Sequence, residues 1–229
     1  MHKQLDRIRK AYDLTVEQYY KGIDPYKSVP KTFKNSSEFK VFIKSIGPSN
    51  TGSAVSNIRE YLKPKSGMRF LDAGCCANLV NYRLDRWAST YYGVDISPTL
   101  INAMKNFVSR KHISIGGLWV ADISQLPFDD NFFDIAAVIG VLQYCTPGYI
   151  KSSLCELNRV LKPKAKMVLD IPNHEHPHFH TMLKLEKYLG RPNIPHPRTT
   201  FEKLLKLFFV IEKTDDSHVM LKYFVRTAK

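Results

Sequence analysis

The sequence predicts an α/β fold: a seven-stranded, mostly parallel sheet with an antiparallel C-terminal hairpin, helices on both faces and an N-terminal helical appendage. Three observations support this prediction. Short apolar runs alternate with helix-length segments between residues 68 and 172, which is the pattern of parallel βαβ units. Residues 133–139 are almost entirely apolar, as expected of a central strand covered on both faces. The last two strand-like runs have no helix between them, which predicts an antiparallel pair.

Three amphipathic segments precede the first predicted strand. Residues 3–21 carry apolar side chains at helical spacing, a second helix is predicted to start near Ser36, and a third covers about residues 53–62. Because these helices come before the sheet, we interpret them as an appendage that is well placed to form a lid.

The remaining elements follow from apolar periodicity and from start signals. The predicted strands cover residues 69–73, 91–95, 118–122, 133–139, 167–171, 208–213 and 219–227. Helices are predicted over residues 79–87, after Ser97, around residues 150–161 and over 201–207. Ser97 followed by Pro98 is a favourable N-cap and first-turn pair.

Length and charge limit the function classes. With 229 residues, 44% of them hydrophobic, the chain is large enough for one substantial α/β domain, predicted over residues 1–229. The formal net charge of +13 favours an anionic partner, such as an acidic surface or a phosphate- or carboxylate-bearing substrate. Nucleic acid is not favoured, because the sequence has no dense basic run and no nucleic-acid motif.

The cysteines and the N-terminus bear on the compartment. Cys75 and Cys76 are adjacent, and no CxxC spacing occurs, so the pattern indicates free thiols in a reducing, cytoplasmic setting. The first residues lack the apolar run of a signal peptide, and no stretch approaches the roughly 20 apolar residues of a transmembrane span.

Chemistry-bearing residues follow four of the predicted strands. A turn at residues 72–78 contains a glycine and can present backbone N–H groups to a ligand. Asp95, about twenty residues later, can accept hydrogen bonds from two ribose hydroxyls. Asp122 and Ile123 follow the third strand, and Gly140 follows the fourth. Ligands of such sheets bind at the carboxyl ends of the strands, so a nucleotide-like ligand is predicted there.

Several longer phrases carry a family resemblance. They are FLDAGC at 70–75, YGVDIS at 92–97, ADISQLPFDDNFFD at 121–134, VLQY at 141–144 and ELNRVLKP at 156–163. With them, residues 68–172 resemble the core of the class I S-adenosylmethionine (SAM)-dependent methyltransferases. The phrases are most similar to the small-molecule subgroup (methyltransferase type 11) that includes the ubiquinone and menaquinone C-methyltransferases.

This resemblance implies a Rossmann-like fold, SAM as cofactor, S-adenosylhomocysteine (SAH) as product, and transfer to a small-molecule acceptor. It implies a lid at 1–66, a SAM-binding core at 67–172 and an acceptor-side insertion with closing strands at 173–229. The cofactor-binding residues expected from it are Asp72, Gly74, Cys75, Asp95, Ile96, Asp122, Ile123 and Gly140. Separately, the tyrosines of the first helix, Tyr12, Tyr19 and Tyr20, are placed to close over SAM, and Tyr20 is counted as cofactor-binding. In this assignment Asp95 holds the ribose, Asp122 meets the adenine amino group and Asp72 orients the ammonium. Cys75 contributes its backbone amide.

The acceptor side is less defined. Tyr144 and two histidines of the run after strand five, His174 and His176, are candidates for a group that assists the transfer, with no metal expected. In an extended segment, the alternate histidines at 174–180 share one face. Whether O, N, C or S is methylated, and whether the acceptor is anionic or linked to a lipid, stays open.

Two alternatives remain. A nicotinamide-dependent dehydrogenase shares the acid after the second strand but has GxGxxG at the first turn, which this chain lacks. A non-catalytic methyltransferase-fold module or partner subunit is the other. The family usually has glycine at the positions of Cys76 and Asn78, and Gly-Gly at those of Lys164 and Ala165.

Overall fold

The computed structural model describes residues 3–24, 26–46 and 53–229, and its centre is a seven-stranded sheet. The strands are β1 (Arg69–Ala73), β2 (Thr90–Asp95), β3 (Gly117–Val120), β4 (Phe133–Val138), β5 (Leu161–Pro172), β6 (Phe209–Asp215) and β7 (Met220–Thr227). Their order is β3-β2-β1-β4-β5-β7-β6. The first five are parallel, and β7 lies antiparallel between β5 and β6. The predicted fold class is confirmed.

The helices flank this sheet and precede it. They are α1 (Lys3–Tyr20), α2 (Lys31–Asn35), α3 (Ser37–Ile46), α4 (Ser53–Leu62), α5 (Asn78–Asn81), α6 (Pro98–Arg110), α7 (Pro147–Val160), α8 (Phe179–Tyr188) and α9 (Arg198–Leu205). As predicted, Ser97 caps α6 by accepting the Leu100 N–H at 2.9 Å, and Pro98 is its first residue. Thr146 and Pro147 start α7 in the same way.

Apolar side chains on alternate faces of the strands form two cores. Phe133, Ala136 and Val138 of β4 belong to the core that includes α7 and α9, whereas Ile135 and Ala137 face the core that includes α4 and α6. Both faces of β4 are therefore buried, which explains its uninterrupted apolar run.

The N-terminal helices pack partly on each other and partly on α8. Phe39 and Phe42 of α3 form a third apolar cluster with Phe179, Met182 and Leu185 of α8. Helix α1 contacts α6 and the turn after β4, and its Leu5 reaches the main core. Among the described residues, no helix is long and apolar enough to cross a membrane.

Five elements differ from the predictions, and one of them, the short helix α2, was not predicted. The predicted helix at 79–87 is only α5, because Arg83 adopts a left-handed conformation (φ 51°), and a 3-10 turn follows at Leu84–Arg86. Strand β3 ends at Val120, so Asp122 lies in a turn. Strand β5 begins six residues early, at Leu161. Helix α8, whose apolar side chains repeat every three residues, occupies part of the predicted acceptor-side loop.

Candidate functional site

The carboxyl ends of β1, β2, β4 and β5 surround a cavity of about 410 Å³. Its sheet-side walls come from residues at or near the carboxyl ends of these strands, and from Ile123 after β3: Gly74, Cys76, Asp95, Ile96, Ile123, Ile139, Gly140 and Asp170. The opposite side is formed by α1, α3, α8 and the segments around residues 193 and 219–220. The predicted position of the site at the strand ends therefore coincides with a cavity.

The turn after β1 depends on Gly74. Its φ is +77°, and a Cβ added there would lie 2.2 Å from Val141 Cγ2, so no other residue fits without strain. The N–H groups of Gly74 and Cys75 both donate to the Val94 carbonyl, at 2.8 and 2.9 Å. The Cys75 amide is consequently used within the sheet, and its buried side chain is not part of the cavity wall.

Asp95 ends β2 and presents its carboxylate to the cavity while remaining 8% exposed. Oδ1 accepts the Ser97 N–H and Oδ2 accepts the Cys76 N–H, each at 2.9 Å. Burial raises the pKa of this carboxyl, and the two backbone donors oppose that rise. Each oxygen keeps a second lone pair, so Asp95 can still accept hydrogen bonds from a ligand.

Asp72 lies behind the cavity rather than in its wall. It is buried and accepts hydrogen bonds from Tyr91 Oη at 2.8 Å and from Asn78 Nδ2 at 3.2 Å. Burial raises its pKa to about 6. Asn78 itself lines the cavity, and its side chain bonds Asp72 instead of capping α5. The predicted direct role of Asp72 at the ligand is therefore not supported, because Asp72 does not line the cavity and only its hydrogen-bond partner Asn78 does.

Cys76 stands where the resembled family usually has glycine, and this difference bears directly on the cavity. It has φ +40°, a conformation that glycine adopts without strain, and its side chain lines the cavity. Burial raises the pKa of the thiol to about 12, so it stays protonated at neutral pH. The local backbone is therefore the one that a glycine would favour, although the residue is cysteine.

The third strand end is arranged differently from the prediction. Asp122 is not in the cavity wall, and its Oδ1 accepts hydrogen bonds from Ser124 and from the Tyr149 hydroxyl. Tyr149, near the start of α7, lines the cavity together with Ile123 and Ile96. Asp122 therefore holds the tyrosine that faces the cavity.

Gly140 and Asp170 form the wall beside β4 and β5. The Gly140 N–H donates to Asp170 Oδ1 at 2.7 Å, so this amide is also occupied by the protein. Gly140 has φ +72°, and a Cβ added there would make only an ordinary contact, 3.9 Å from Gln143 Nε2. Asp170 is 2% exposed, and burial raises its pKa to about 6.

A hydrogen-bonded cluster joins α1 and α8 across the cavity. Tyr144 donates to Glu186 Oε2 at 2.7 Å and lies 3.2 Å from the Tyr12 hydroxyl. Arg191 pairs with Glu186 at 3.2 Å and stacks on the Tyr12 ring at 4.6 Å. Burial raises the pKa of Tyr144 well above its usual range. The Tyr144 phenol is thus in the cavity wall but is a poor base at neutral pH.

The structure does not bring the predicted histidines to the cavity. Residues 174–178 form turns, because Asn173 Oδ1 accepts the Glu175 N–H and starts a tight turn. The prediction of an extended segment with its histidines on one face is therefore wrong. His174 is exposed and stacks on Phe179 at 4.5 Å, and His176 is half-buried outside the cavity. In the described ranges, no cluster of three potential metal-ligating side chains occurs.

Tyr20 does not line the cavity either, so its predicted cofactor-binding role is not supported. It is 62% exposed at the end of α1 and faces Asn106, Ser109 and Arg110 of α6. From the same helix it is Tyr12, together with Leu5 and Ile8, that lines the cavity.

Sequence reasoning missed several cavity residues. For Asp170 a signal existed, because it lies near the carboxyl end of a predicted strand, as Asp95 does. Glu186 lies on α8, and the regular spacing of the apolar side chains in that segment was the signal that could have predicted the helix. Asn193 follows α8 in an irregular segment, and no sequence pattern marks it.

Three comparisons place the chain among known proteins. Residues 71–169 match the model of a family described as "Methyltransferase domain". The chain is 38% identical over 136 residues to a 2-phytyl-1,4-naphtoquinone methyltransferase of Nostoc punctiforme, covering 57% of each protein. It is 30% identical over 105 residues to a demethylmenaquinone methyltransferase of Tropheryma whipplei, covering 45% of this chain and 41% of that one. The chain thus matches about half the length of these relatives.

Solved structures share the fold. A protein of Pyrococcus horikoshii superposes with a TM-score of 0.63 at 21% identity, and a SAM-dependent methyltransferase of Aquifex aeolicus with 0.59 at 16%. Each superposition covers 90% of this chain and 100% of the matched chain.

Proposed function

We propose that this chain, which carries a methyltransferase domain over residues 71–169, transfers a methyl group from SAM to a small-molecule acceptor. The observation that carries the proposal is the buried Asp95 carboxylate at the cavity wall, with Ile96 and Ile123 in the same wall. A carboxylate with free lone pairs suits two ribose hydroxyls, and aliphatic side chains suit the faces of an adenine.

The charge of the cavity also fits SAM. Asp95, Asp170 and Glu186 are in its wall. Glu186 is paired with Arg191 at 3.2 Å, but none of the lysines or arginines in the described part of the chain itself lines the cavity. SAM carries a positive sulfonium and an ammonium, so an acidic, partly buried wall is complementary to it. When bound, SAM supplies a methyl group already activated for transfer.

The chain's own residues are assigned as follows in this proposal. Asp95 holds the ribose, Ile96 and Ile123 pack on the adenine, and the Gly74 turn allows the methionine part to approach the backbone. Gly140 leaves room beside it, with Asp170 as a further carboxylate that can meet the ammonium.

Three predicted cofactor residues have indirect roles in the proposal. Asp72 positions Asn78, Asp122 positions Tyr149, and Cys75 fixes the turn through its bond to Val94. Tyr20 has no role in it.

For the acceptor we propose a quinone-type aromatic compound or its reduced form. The relatives are named for naphthoquinone and menaquinone substrates. The cavity wall opposite the sheet is largely apolar, with Ile8, Phe42, Met182 and Met220 among its side chains. Such a wall buries an aromatic ring favourably.

The transfer itself is tested with SAM carrying an isotopically labelled methyl group. Incubation with reduced 2-methyl-1,4-naphthoquinone should yield SAH and a labelled product, both detected by mass spectrometry. SAH formation with none of a panel of phenols, hydroquinones and amines, despite tight SAM binding, would favour the non-catalytic alternative.

Tyr144 stays the candidate for assisting the transfer, as a positioning residue. Because its phenol is protonated and hydrogen-bonded to Glu186, it can orient an acceptor in the cavity but does not remove a proton from it. His174 and His176 are not part of this proposal.

Part of the excess positive charge lies at a cleft outside the cavity. Exposed Arg59, Lys63, Arg83 and Arg86, with the single acid Glu60, line this cleft of about 670 Å³, which meets the functional cavity at Tyr82. We propose that this basic cleft places the protein on an anionic lipid surface, from which a lipid-linked acceptor enters.

Vesicle binding tests the basic cleft. Sedimentation with phosphatidylglycerol vesicles should be strong at low salt and weak at high salt, and Lys63→Glu should lower it at least about fivefold. Lys203→Glu, the same charge change on α9 at the opposite face of the sheet, is the matched control and should have a smaller effect. Equal losses in both variants, or equal binding to neutral phosphatidylcholine, would count against a local site.

Residues 1–66 are proposed as the lid of a single domain, with 67–172 as the core and 173–229 as the acceptor side. Support comes from α1 and α3, which supply cavity residues, and from α8, which supplies Met182 and Glu186.

A further inference from the structure

A buried lysine lies behind the cavity wall. Lys222 of β7 is 8% exposed, although lysines are almost never buried without a charge partner. It is paired in register with Asp170 of β5 and with Asp215 of β6, the strands on either side of β7. Directly opposite residues of antiparallel strands share one face of the sheet, with Cβ atoms about 4.5–5.5 Å apart. The three side chains therefore form a row of alternating charge across the sheet.

This row lies on the face of the sheet that α4 covers. Val168 and Phe224, two residues along β5 and β7, belong to the core that includes α4, and side chains two residues apart share a face. At the end of the row, Asn57 of α4 donates to Asp215 Oδ2 at 2.9 Å. Lys222 forms no ion pair within 4.0 Å with either aspartate of the row, and all three residues are in the described part of the chain. It therefore acts on them through the field of its charge.

Asp170 is the member of the row that reaches the cavity wall, where the Gly140 N–H donates to it. Burial raises the pKa of Asp170 to about 6, and the Gly140 hydrogen bond and the Lys222 charge oppose that rise. Tyr82 faces Asp170 from the end of α5, and burial together with the Asp170 charge raises the pKa of this phenol, so it stays neutral. The cation that faces Asp170 across the strands is thus Lys222.

Other charges reach the row only from its far end. Asp215 is close to Lys222 in register, and His218, after β6, lies near enough to Asp215 for their charges to interact. Neither of these two residues lines the cavity. Lys222 is therefore shared between an acid in the wall and an acid outside it.

We infer that Lys222 is a positioning residue of the cofactor site: from behind the wall it holds Asp170 as a carboxylate at neutral pH, ready for the ammonium group of SAM. The inference rests on the proposed function, in which Asp170 meets that ammonium. A carboxyl buried without a cation nearby takes up a proton and no longer attracts a cationic ligand. Lys222 thus widens the pH range in which the wall keeps this negative charge before SAM binds.

The pH dependence distinguishes this role from a purely structural one. Affinity for the cofactor should be full above the pKa of Asp170 in the free protein and should fall as the pH drops through it. Removing the Lys222 charge raises that pKa, so the fall begins at a higher pH. Above the raised pKa the affinity should equal or exceed the native value, because Lys222 also repels a cationic ligand. A distorted wall would instead weaken binding at every pH.

The first experiment measures the titration of Asp170 in the ligand-free protein by NMR of ¹³C-labelled aspartate carboxyls. The signal is identified by its loss in Asp170→Asn, and its midpoint in the native protein should be about 6. In Lys222→Met, which keeps the length of the side chain, the midpoint should rise by at least about one pH unit, a tenfold change in proton affinity. Lys222→Arg restores the charge and should return the midpoint close to the native value. If Lys222→Met does not fold, Lys222→Gln takes its place with the same expectation.

Lys166→Met is the matched control. Lys166 lies on the same face of β5, four residues before Asp170 and so roughly 13 Å from it, where its ammonium packs over the Tyr61 ring. The variant removes the same charge from the same face, and the Asp170 midpoint should stay close to the native value.

The second experiment is calorimetric titration with SAH between about pH 5 and pH 8. In Lys222→Met the fall of affinity toward acid should begin at a pH higher by about the same interval as the Asp170 midpoint, and affinity at the upper end should be at least native. In Asp170→Asn, adding Lys222→Met should produce no displacement of the pH profile, because Lys222 acts through Asp170.

The outcomes separate the inference from the proposed function. An unchanged Asp170 midpoint in Lys222→Met overturns the inference, as does an equal rise in Lys166→Met. A loss of SAH affinity in Lys222→Met that is the same at every pH gives Lys222 a structural role and also overturns it. If the native protein binds no SAH, the proposed function fails, and the carboxyl titration still decides whether Lys222 holds Asp170 ionised.

Discussion

Asp95→Ala is expected to weaken SAM binding by about 2–4 kcal/mol, or roughly 30- to 700-fold. The carboxylate is buried at the cavity wall, and each oxygen uses only one lone pair on the backbone. In the proposed assignment, its loss removes two charge-assisted hydrogen bonds to the ribose. It also frees the Cys76 and Ser97 amides, which loosens the turn that forms the wall.

The measurement is calorimetric titration with SAM and SAH, with circular dichroism to confirm the fold. Asp95→Asn is the matched control. It keeps one oxygen acceptor in nearly the same shape and should bind with intermediate affinity. Unchanged affinity in Asp95→Ala would refute the ribose assignment.

Gly74→Ala is expected to lower the free energy of unfolding by about 2–4 kcal/mol and to impair SAM binding. Two costs add at this position. The φ of +77° is unfavourable for any residue with a Cβ, and that Cβ would lie 2.2 Å from Val141 Cγ2. Val141 is in the cavity wall, so relief of the contact displaces the wall itself.

Gly140→Ala separates these two costs. Gly140 has a similar φ of +72°, but a Cβ there would lie 3.9 Å from its nearest neighbour, Gln143 Nε2, so only the backbone cost of about 1–2 kcal/mol applies. In Gly74→Ala/Val141→Ala the contact is relieved while the backbone cost stays. In urea unfolding of these four proteins, the native protein should be the most stable, Gly140→Ala should come next, and the two Gly74 variants should be the least stable. Equal stability of Gly74→Ala and Gly140→Ala would contradict the steric argument.

The strand ends were predictable because they depend on local patterns. Apolar runs located every strand of the sheet, and the rule that ligands bind at carboxyl ends placed Gly74, Asp95, Ile96, Ile123 and Gly140 in one cavity. The motif phrases resemble the methyltransferases, and residues 71–169 match a family model described as a methyltransferase domain.

What the sequence did not predict depends on partners distant along the chain. Asp122 looks like a free acid after a strand, but Tyr149, 27 residues later, occupies it. The cluster of Tyr12, Tyr144 and Glu186 joins residues 42 to 132 positions apart. Such contacts follow from packing of whole elements, and periodicity within one element does not reveal them.

The histidine run shows how a local rule can mislead. Alternate histidines share a face only in an extended backbone. Here the Asn173 side chain accepts the Glu175 N–H, and its Nδ2 donates to the Asp216 carbonyl, so the chain turns into α8. The residue that determines the conformation of the histidine run is therefore Asn173, which directly precedes it.

The central claim is that the cavity binds SAM although Cys76 stands where glycine is usual. Titration of the native protein and of Cys76→Gly with SAM tests it most directly. We expect the native chain to bind one equivalent with a dissociation constant of micromolar order, because Asp95, Ile96 and Ile123 line the cavity beside the small thiol. We expect Cys76→Gly to bind within a few-fold of that value while removing the backbone strain at φ +40°. No binding by the native chain together with binding by Cys76→Gly would contradict the account, since the thiol would then block the site.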